Sequence, residues 1–140
     1  MILADTGPLV AGANSRDRHR RACADLLLNH PGPMLIPAPV IVEVCQLLAS
    51  RQGTDAEAAF LRTLGAGDLQ VVDLEPTDYT RAAALVKQYA DLPLGAVDAA
   101  VIGLAERLRI TEIATLDRRH FTVVRPVHVG AFTLLPELAS

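Results

Sequence analysis

The chain has 140 residues, of which 51% are hydrophobic and 4% aromatic, with no tryptophan and a formal net charge of −3. This length suits one domain with a substantial core, and the Ala-, Leu- and Val-rich composition favours a helix-rich α/β or all-α domain over an aromatic-rich β-sandwich. The net charge argues against a protein that binds nucleic acid through bulk positive charge, although basic side chains at the rim of a site remain compatible with it.

The first half of the chain alternates short apolar runs with amphipathic segments. The opening apolar run ends in the sequence Asp-Thr-Gly-Pro at 5–8, which predicts a buried strand and a turn into a helix. Thr54 and Glu57 have capping-box spacing, which marks the start of another helix. The predicted elements are a strand at 1–4, a helix at 15–30, a strand at 34–36, a helix ending at 53 and a helix at 54–64.

The second half continues the alternation, with Thr77 as a predicted helix cap. The predicted elements are a strand at 69–74, a helix at 77–89, a helix at 95–108, a strand at 113–116 and two short apolar segments at 123–124 and 132–135. Strands that alternate with helices predict a parallel sheet with helices on both sides. We therefore expect one α/β domain over residues 1–140.

Neither export nor membrane insertion is predicted. The N-terminal segment has no basic region, and Asp5 interrupts its apolar run. No stretch of about 18 apolar residues is free of charges and prolines. The sequence therefore predicts a cytoplasmic protein.

Four acidic residues stand out because their sequence neighbours are apolar: Asp5, Glu43, Asp98 and Asp117. A carboxylate in apolar surroundings is costly unless it is paired or bound to a metal. Asp73 also has apolar neighbours, but it fits an outward-facing position of a strand with period-two alternation. We therefore leave Asp73 out of the candidate site.

The predicted positions of the four acids share one edge of the sheet. Asp5 and Asp117 follow the ends of strands, whereas Glu43 and Asp98 lie in early turns of helices. In a parallel α/β arrangement, strand ends and helix starts meet at the edge where ligands bind, and helix N-termini stabilise negative charge. Local capping or pairing would explain any one of these acids alone, but it explains all four poorly.

Converging carboxylates predict a bound cation. At a separation of about 4–5 Å, each pair repels by on the order of 1–4 kcal/mol. Arg118 is the one basic residue directly adjoining any of the four. A hard divalent cation with oxygen ligands would offset the repulsion, and all-carboxylate sites suit Mg²⁺ or Mn²⁺. The usual chemistry of such a site is phosphodiester hydrolysis by a metal-activated water.

Four stretches containing these acids resemble the motifs of the PIN-domain ribonucleases, and most closely the VapC-type toxins of toxin–antitoxin pairs. The resemblance covers nearly the whole chain. The stretches are the opening strand with Asp5-Thr6, Pro39-x-x-x-Glu43, Leu-Pro-Leu-Gly-Ala-Val-Asp-Ala at 92–99 and Thr-Leu-Asp-Arg-Arg-His-Phe at 115–121. Each stretch alone is a weak signal, but four in order at the family's spacing form a strong one.

The resemblance implies a three-layer α/β/α, Rossmann-like PIN domain around a central, mostly parallel sheet. It also implies a Mg²⁺-dependent endoribonuclease that cuts single-stranded RNA, with Mn²⁺ as a substitute metal. A homodimer and a hetero-oligomer with a VapB-type antitoxin, which occupies the active-site groove, are implied as well.

The resemblance also assigns roles to the acids. It implies that Asp5 and Asp98 bind the metal directly, and that Glu43 and Asp117 complete the acidic cluster directly or through water. Some relatives carry an extra acid near the third or fourth motif, whereas Gly95 and Ala96 are not acidic in this chain. We therefore expect one firmly bound Mg²⁺ and a second one recruited by RNA.

Supporting roles are also implied around the fourth motif. Thr6 and Thr115 are expected to hydrogen-bond metal-bound water or an acid, and Arg118 and Arg119 either contact RNA phosphate or lie in solvent. His120 is a candidate general acid, but the expectation is a structural role because a metal can supply that chemistry. Asp91 is expected to be a helix-end residue.

Other functions fit less well. A haloacid-dehalogenase-type phosphotransferase needs Asp-x-Asp, whereas Gly7 occupies the third position of Asp5-Thr6-Gly7. A receiver domain needs an acidic pair and a suitably placed lysine, and Lys87 is the one lysine in the chain. A P-loop or dinucleotide fold needs a Gly-rich loop after the first strand. The alternative left open is a PIN-like module that binds RNA or its antitoxin without cleaving.

Overall fold

The computed structural model describes residues 1–138, which form seven helices and five short strands. In chain order the elements are β1 (Ile2–Ala4), α1 (Thr6–Ala13), α2 (Arg20–Asn29), β2 (Met34–Pro37), α3 (Ala38–Gln52), α4 (Thr54–Gly65), β3 (Gln70–Val72), α5 (Pro76–Gln88), α6 (Ala96–Leu108), β4 (Glu112–Ala114), α7 (Arg118–Val123) and β5 (Thr133–Leu135). Among the helices of this described part, none has the length and apolar character needed to cross a membrane.

The five strands form one parallel sheet in the order β3-β2-β1-β4-β5. The N-terminal strand β1 lies at its centre, where Leu3 pairs with Leu35 of β2 and with Ile113 of β4. Since all strands run in one direction, their carboxyl ends share one edge, and the connecting helices cover the faces. The predicted three-layer α/β/α fold is confirmed, with every strand pairing parallel.

Helix α6 lies in the core and fixes one end of the site. All residues from Ala99 to Glu106 are buried. A helix that is buried on all sides packs between other elements rather than on the surface. Asp98 lies in the first turn of α6, so the packing of this helix sets where its carboxylate lies.

The predicted helix start at Ser15 is wrong, because α2 begins at Arg20. Side chains in the preceding segment hydrogen-bond to nearby backbone instead. Asn14 Oδ1 accepts from the Arg16 N–H at 3.1 Å, and Asp17 Oδ1 accepts from the His19 N–H at 2.8 Å. Such local bonds compete with helix formation and hold this segment as a turn between α1 and α2.

The predicted capping box at Thr54 is also wrong. The N-cap of α4 is Gly53, and no side chain caps this helix start. The capping box of this chain opens α5 instead, where the Asp78 carboxylate accepts from the Glu75 N–H at 2.8 Å. Thr77 therefore lies inside the first turn of α5 and is not its cap.

Apart from β2, which extends one residue beyond the predicted 34–36, the strands are shorter than their apolar runs suggest. The predicted strands at 69–74 and 113–116 contain β3 and overlap β4, respectively. The C-terminal apolar segment at 132–135 contains β5, whereas Val123 ends α7. Asp73 is exposed just after β3, as its outward-facing assignment predicts.

Candidate active site

The four acids singled out by their apolar neighbours line one cleft of about 550 Å³ at the carboxyl edge of the sheet. They are Asp5 after β1, Glu43 in the second turn of α3, Asp98 in the first turn of α6 and Asp117 at the N-cap of α7. Residues far apart in sequence thus meet at the edge where parallel α/β folds bind ligands.

Asp5 is the most deeply buried of the four, with 5% of its surface exposed. Its backbone N–H donates to the Ala114 carbonyl at 2.8 Å, which ties it to the central strands. Oδ2 accepts a hydrogen bond from the Thr115 hydroxyl at 2.9 Å. Oδ1 is buried with no hydrogen-bond partner within residues 1–138, so one carboxylate oxygen of Asp5 can still accept a hydrogen bond or bind a cation.

The environment of Asp5 disfavours its ionised form. Burial is the main reason that the pKa of Asp5 rises to about 7, and the Asp98 and Glu43 carboxylates raise it further. Hydrogen bonds from the Thr6 backbone and the Thr115 side chain oppose this rise in the pKa. Without a counter-charge, the site therefore holds one of its acids at a high energetic cost.

Thr115 connects two of the acids. Its side chain is fully buried. The hydroxyl donates to Asp5 Oδ2 and accepts from the Asp117 N–H, both at 2.9 Å. Because a hydroxyl has one donor and free lone pairs, this arrangement uses both capacities and fixes Asp117 relative to Asp5.

His120 lies between two acids of the cluster, Asp98 and Asp117. Its Nδ1 is 2.9 Å from Asp98 Oδ2 and 2.6 Å from Asp117 Oδ2. Its backbone N–H donates to Asp117 Oδ1 at 3.0 Å, which makes Asp117 the cap of α7. Burial raises the pKa of Asp98, and the hydrogen bond from His120 opposes that rise.

The structure also groups His120 with potential metal ligands. Single ligand atoms of Asp98, Asp117 and His120 lie within 4.8 Å of one another. The sequence raised His120 as an acid or a structural residue but did not predict this bridging position. The available signal was its place three residues after a helix-capping Asp.

Arg118, one of the two arginines proposed to meet RNA, is half-buried beside β5. Its guanidinium donates to the carbonyls of Leu134, at 3.1 Å, and Pro136. This placement favours a structural role for Arg118. Arg119 is exposed, and its contact with RNA stays a prediction.

Two charged residues that the sequence analysis did not assign to the site also line the cleft. They are Asp17, from the segment before α2, and Arg51, from the last turn of α3. Asp91 is exposed and does not line the cleft. Arg51 follows Glu43 by eight residues on the same helix, a spacing that could have indicated it in the sequence.

The residues of the cleft fit a hard divalent cation. Its donors are carboxylate and hydroxyl oxygens, the ligand type that Mg²⁺ and Mn²⁺ prefer. Asp5 Oδ1 and Thr6 Oγ1 are buried and lack hydrogen-bond partners among the described residues. Unsatisfied buried oxygens are rare in folded proteins, and a cation or its water ligands would satisfy both.

Comparison with known proteins gives concordant matches. The PIN domain family model matches residues 2–125. Ribonuclease VapC26 of Mycobacterium tuberculosis strain H37Rv is 34% identical over 135 residues, covering 96% of this chain and 100% of the relative.

Two solved structures share the fold. The Mycobacterium tuberculosis toxin VapC20, described as cleaving the sarcin–ricin loop, superposes with a TM-score of 0.80 at 19% identity, covering 93% of this chain and 99% of VapC20. A toxin–antitoxin complex from Klebsiella pneumoniae gives a TM-score of 0.70 at 20% identity, covering 95% of this chain and 100% of the matched one.

Proposed function

The chain belongs to the PIN domain family, within its VapC group, and from that membership we propose that it is a metal-dependent endoribonuclease and the toxin of a toxin–antitoxin pair. The observation that carries the proposal is the convergence of four acids on one cleft, where a buried oxygen of Asp5 lacks a partner. We take residues 1–140 as one such domain, which acts in the cytoplasm.

The proposed roles follow from how each acid is held. Asp5 and Asp98 would bind Mg²⁺, or Mn²⁺ in its place, and Glu43 and Asp117 would complete the negative charge around it. When bound, the cation supplies an activated water and neutralises charge on the reacting phosphate. One firmly held ion is expected, with a second recruited together with RNA.

The protein's own contribution is to keep these oxygens in place without the cation. Thr115 holds Asp5 and Asp117 through one buried hydroxyl. His120 Nδ1 hydrogen-bonds to Asp98 and also contacts Asp117. The imidazole thus lies between two carboxylates that would otherwise face each other. We also propose that the Thr6 hydroxyl, which lacks a hydrogen-bond partner among the described residues, bonds to a metal-bound water or to an acid. Such preorganisation removes part of the reorganisation that hydrolysis would otherwise require.

Cleavage of RNA by the purified chain tests the proposal. RNA containing the sarcin–ricin loop, the target named for VapC20, is the first substrate, and total ribosomal RNA is the second. We expect cleavage in Mg²⁺, none in EDTA, and a loss of at least about a hundredfold for Asp5→Asn. Asp73→Asn is the matched control because Asp73 is an exposed carboxylate outside the cleft.

Two results would contradict the proposal. Cleavage that persists in EDTA would exclude the metal-dependent mechanism. RNA that binds but stays intact in Mg²⁺ and in Mn²⁺ would favour a module that binds without cleaving.

The antitoxin partner is the second part of the proposal. The cleft carries four carboxylates, so a basic segment that inserts an Arg or Lys among them would be complementary in charge. The similarity to a chain of the toxin–antitoxin complex from Klebsiella pneumoniae supports an antitoxin partner. We propose a homodimer of this chain, assembled with a VapB-type antitoxin. A co-crystal structure in which the acidic cleft faces open solvent would contradict the insertion.

A further inference from the structure

The wall of the cleft formed by α3 carries one positive charge. Glu43, Leu47 and Arg51 all line the cleft, and they follow one another at four-residue intervals on the helix. Such a spacing places side chains on one face. Among the described residues that line the cleft, Arg51 is the one Lys or Arg.

The guanidinium of Arg51 is free, in contrast to those of several other arginines. Arg81 binds Glu106, Arg107 binds Asp78, and Arg118 donates to backbone carbonyls. Within residues 1–138, no ion pair or side-chain hydrogen bond involves Arg51, and the residue is exposed. A favourable interaction with the C-terminal end of α3 would explain a basic residue here, but not its position over the cleft.

The position of Arg51 relative to the acids limits what it can contact. Eight residues of α-helix separate Arg51 from Glu43 by about 12 Å along the axis. A phosphate held at the four acids would therefore be distant from the backbone of Arg51, whereas a strand that follows the α3 wall of the cleft would bring a neighbouring phosphate closer to it. The guanidinium fork suits phosphate oxygens, which it binds in a bidentate manner.

Charge explains why such a contact would matter. The chain has a net charge of −3, and the cleft itself is acidic. An RNA backbone that approaches this cleft is repelled except where a cation faces it. We propose that Arg51 positions the substrate by binding a backbone phosphate of single-stranded RNA that neighbours the scissile one; this inference rests on the proposed ribonuclease function.

Salt-dependent binding tests the proposal directly. All proteins in this experiment carry Asp98→Asn so that the RNA stays intact. Binding of a fluorescein-labelled single-stranded RNA of randomised sequence is measured by fluorescence anisotropy. Arg51→Gln should weaken binding about tenfold. It should also reduce the slope of log K against log salt by about 0.7, the value for one phosphate contact with a single strand. Arg51→Lys should keep the slope and lose part of the affinity.

Arg62→Gln is the matched control, since Arg62 is an exposed arginine near the end of α4 that does not line the cleft. It changes the net charge equally and should leave the slope unchanged. Thermal unfolding of each variant shows that the fold is retained. In the background with Asp98 restored, Arg51→Gln should raise KM for RNA cleavage by a similar factor and change kcat little.

The outcomes separate this inference from the proposed function. If the wild-type chain cleaves RNA and Arg51→Gln matches Arg62→Gln in salt slope and KM, the role of Arg51 is refuted and the ribonuclease function stands. If Arg51→Gln weakens binding of the antitoxin alone, the role in RNA binding is also refuted. If the wild-type chain neither binds nor cleaves RNA, both are refuted.

Discussion

The hydroxyl of Thr115 donates a hydrogen bond to Asp5 Oδ2 across a sequence separation of 110 residues, at 2.9 Å. The Thr115 hydroxyl oxygen also accepts a hydrogen bond from the Asp117 N–H. One buried side chain thus joins an acid at the start of the chain to an acid near its end.

Replacing Thr115 by valine should cost stability and activity together. Thr115→Val keeps the shape but leaves Asp5 Oδ2 and the Asp117 N–H without partners, a cost of about 1–3 kcal/mol for each buried group. It should also raise the pKa of Asp5 further, because the lost bond favours the carboxylate. Urea unfolding at equilibrium measures the loss, and Thr115→Ser should recover most of it. Equal stabilities of the valine and serine variants would show that the hydroxyl contributes nothing.

The metal-free protein should become less stable as the pH rises from about 4 to about 7. The pKa of Asp5 rises from 3.8 to about 7 on folding, mainly because of burial. Between these values the folded state binds a proton that the unfolded state has lost, so the free energy of unfolding falls with increasing pH and levels off above 7.

Urea unfolding in EDTA at pH 5 and pH 8 measures this effect, and Asp5→Asn should remove most of the difference, leaving the part that comes from Asp98, whose pKa burial also raises. Added Mg²⁺ or Mn²⁺ should restore stability at pH 8 more than at pH 5, because the ion binds the deprotonated carboxylate. If the metal-free wild type and Asp5→Asn are both more stable at pH 8 than at pH 5, and by the same margin, the assignment to Asp5 is contradicted.

Removing the His120 side chain should weaken metal binding. His120→Ala removes the hydrogen-bond partner of Asp98 Oδ2 and the ring nitrogen that lies 2.6 Å from Asp117 Oδ2. Loss of a partner that orients a ligand typically lowers metal affinity by about 10–100-fold. Isothermal titration with Mn²⁺ measures the change. His120→Asn, whose amide can donate from a similar position, should recover part of the affinity, and Arg119→Ala should leave it unchanged.

The opposite result would be equally informative about His120. If His120→Ala binds Mn²⁺ more tightly than the wild type, the imidazole competes with the ion for the carboxylates. In that event its role is to satisfy the acids only while the metal is away.

The ion pair between Asp78 and Arg107, which lies outside the cleft, should contribute strongly to the free energy of unfolding by joining α5 to α6. Asp78 is 2% exposed and accepts from Arg107 Nε at 2.9 and 3.0 Å and from the Glu75 N–H. Asp78→Ala removes the buried partner of Arg107, which keeps its ion pair with Glu75 at 3.3 Å, and removes the capping box of α5, so we expect a loss of about 1–3 kcal/mol. Chemical denaturation measures it. Asp55→Ala, at an exposed position in the first turn of α4, should cost far less.

The acids of the cleft could be found from the sequence because their placement follows from chain direction alone. Asp5 follows a strand and Asp98 opens a helix, and a parallel sheet brings such positions to one edge. Thr115 was also expected to support an acid, because it shares the fourth motif with Asp117. The catalytic roles of these residues stay predictions.

The remaining features depend on tertiary packing that no local pattern encodes. The bridging position of His120 requires α6 and the start of α7 to meet at a particular angle. Asp78 and Arg107 lie 29 residues apart, so nothing in either segment marks the pair. The misplaced start of α2 and the wrong capping box at Thr54 have a local cause: side chains that can cap a helix also form turns, and the sequence alone does not decide between them.

The central position of β1 in the sheet has a consequence for the folding of this protein. Strand β1 pairs with β4, and the paired residues Ile2 and Glu112 lie 110 positions apart in the sequence. Contacts of such long sequence separation form late and slowly in folding. A chain that stops before Thr115 therefore lacks Asp117 and the hydroxyl that connects it to Asp5, so the four-acid cluster forms only after β4 and the residues that follow it have been made.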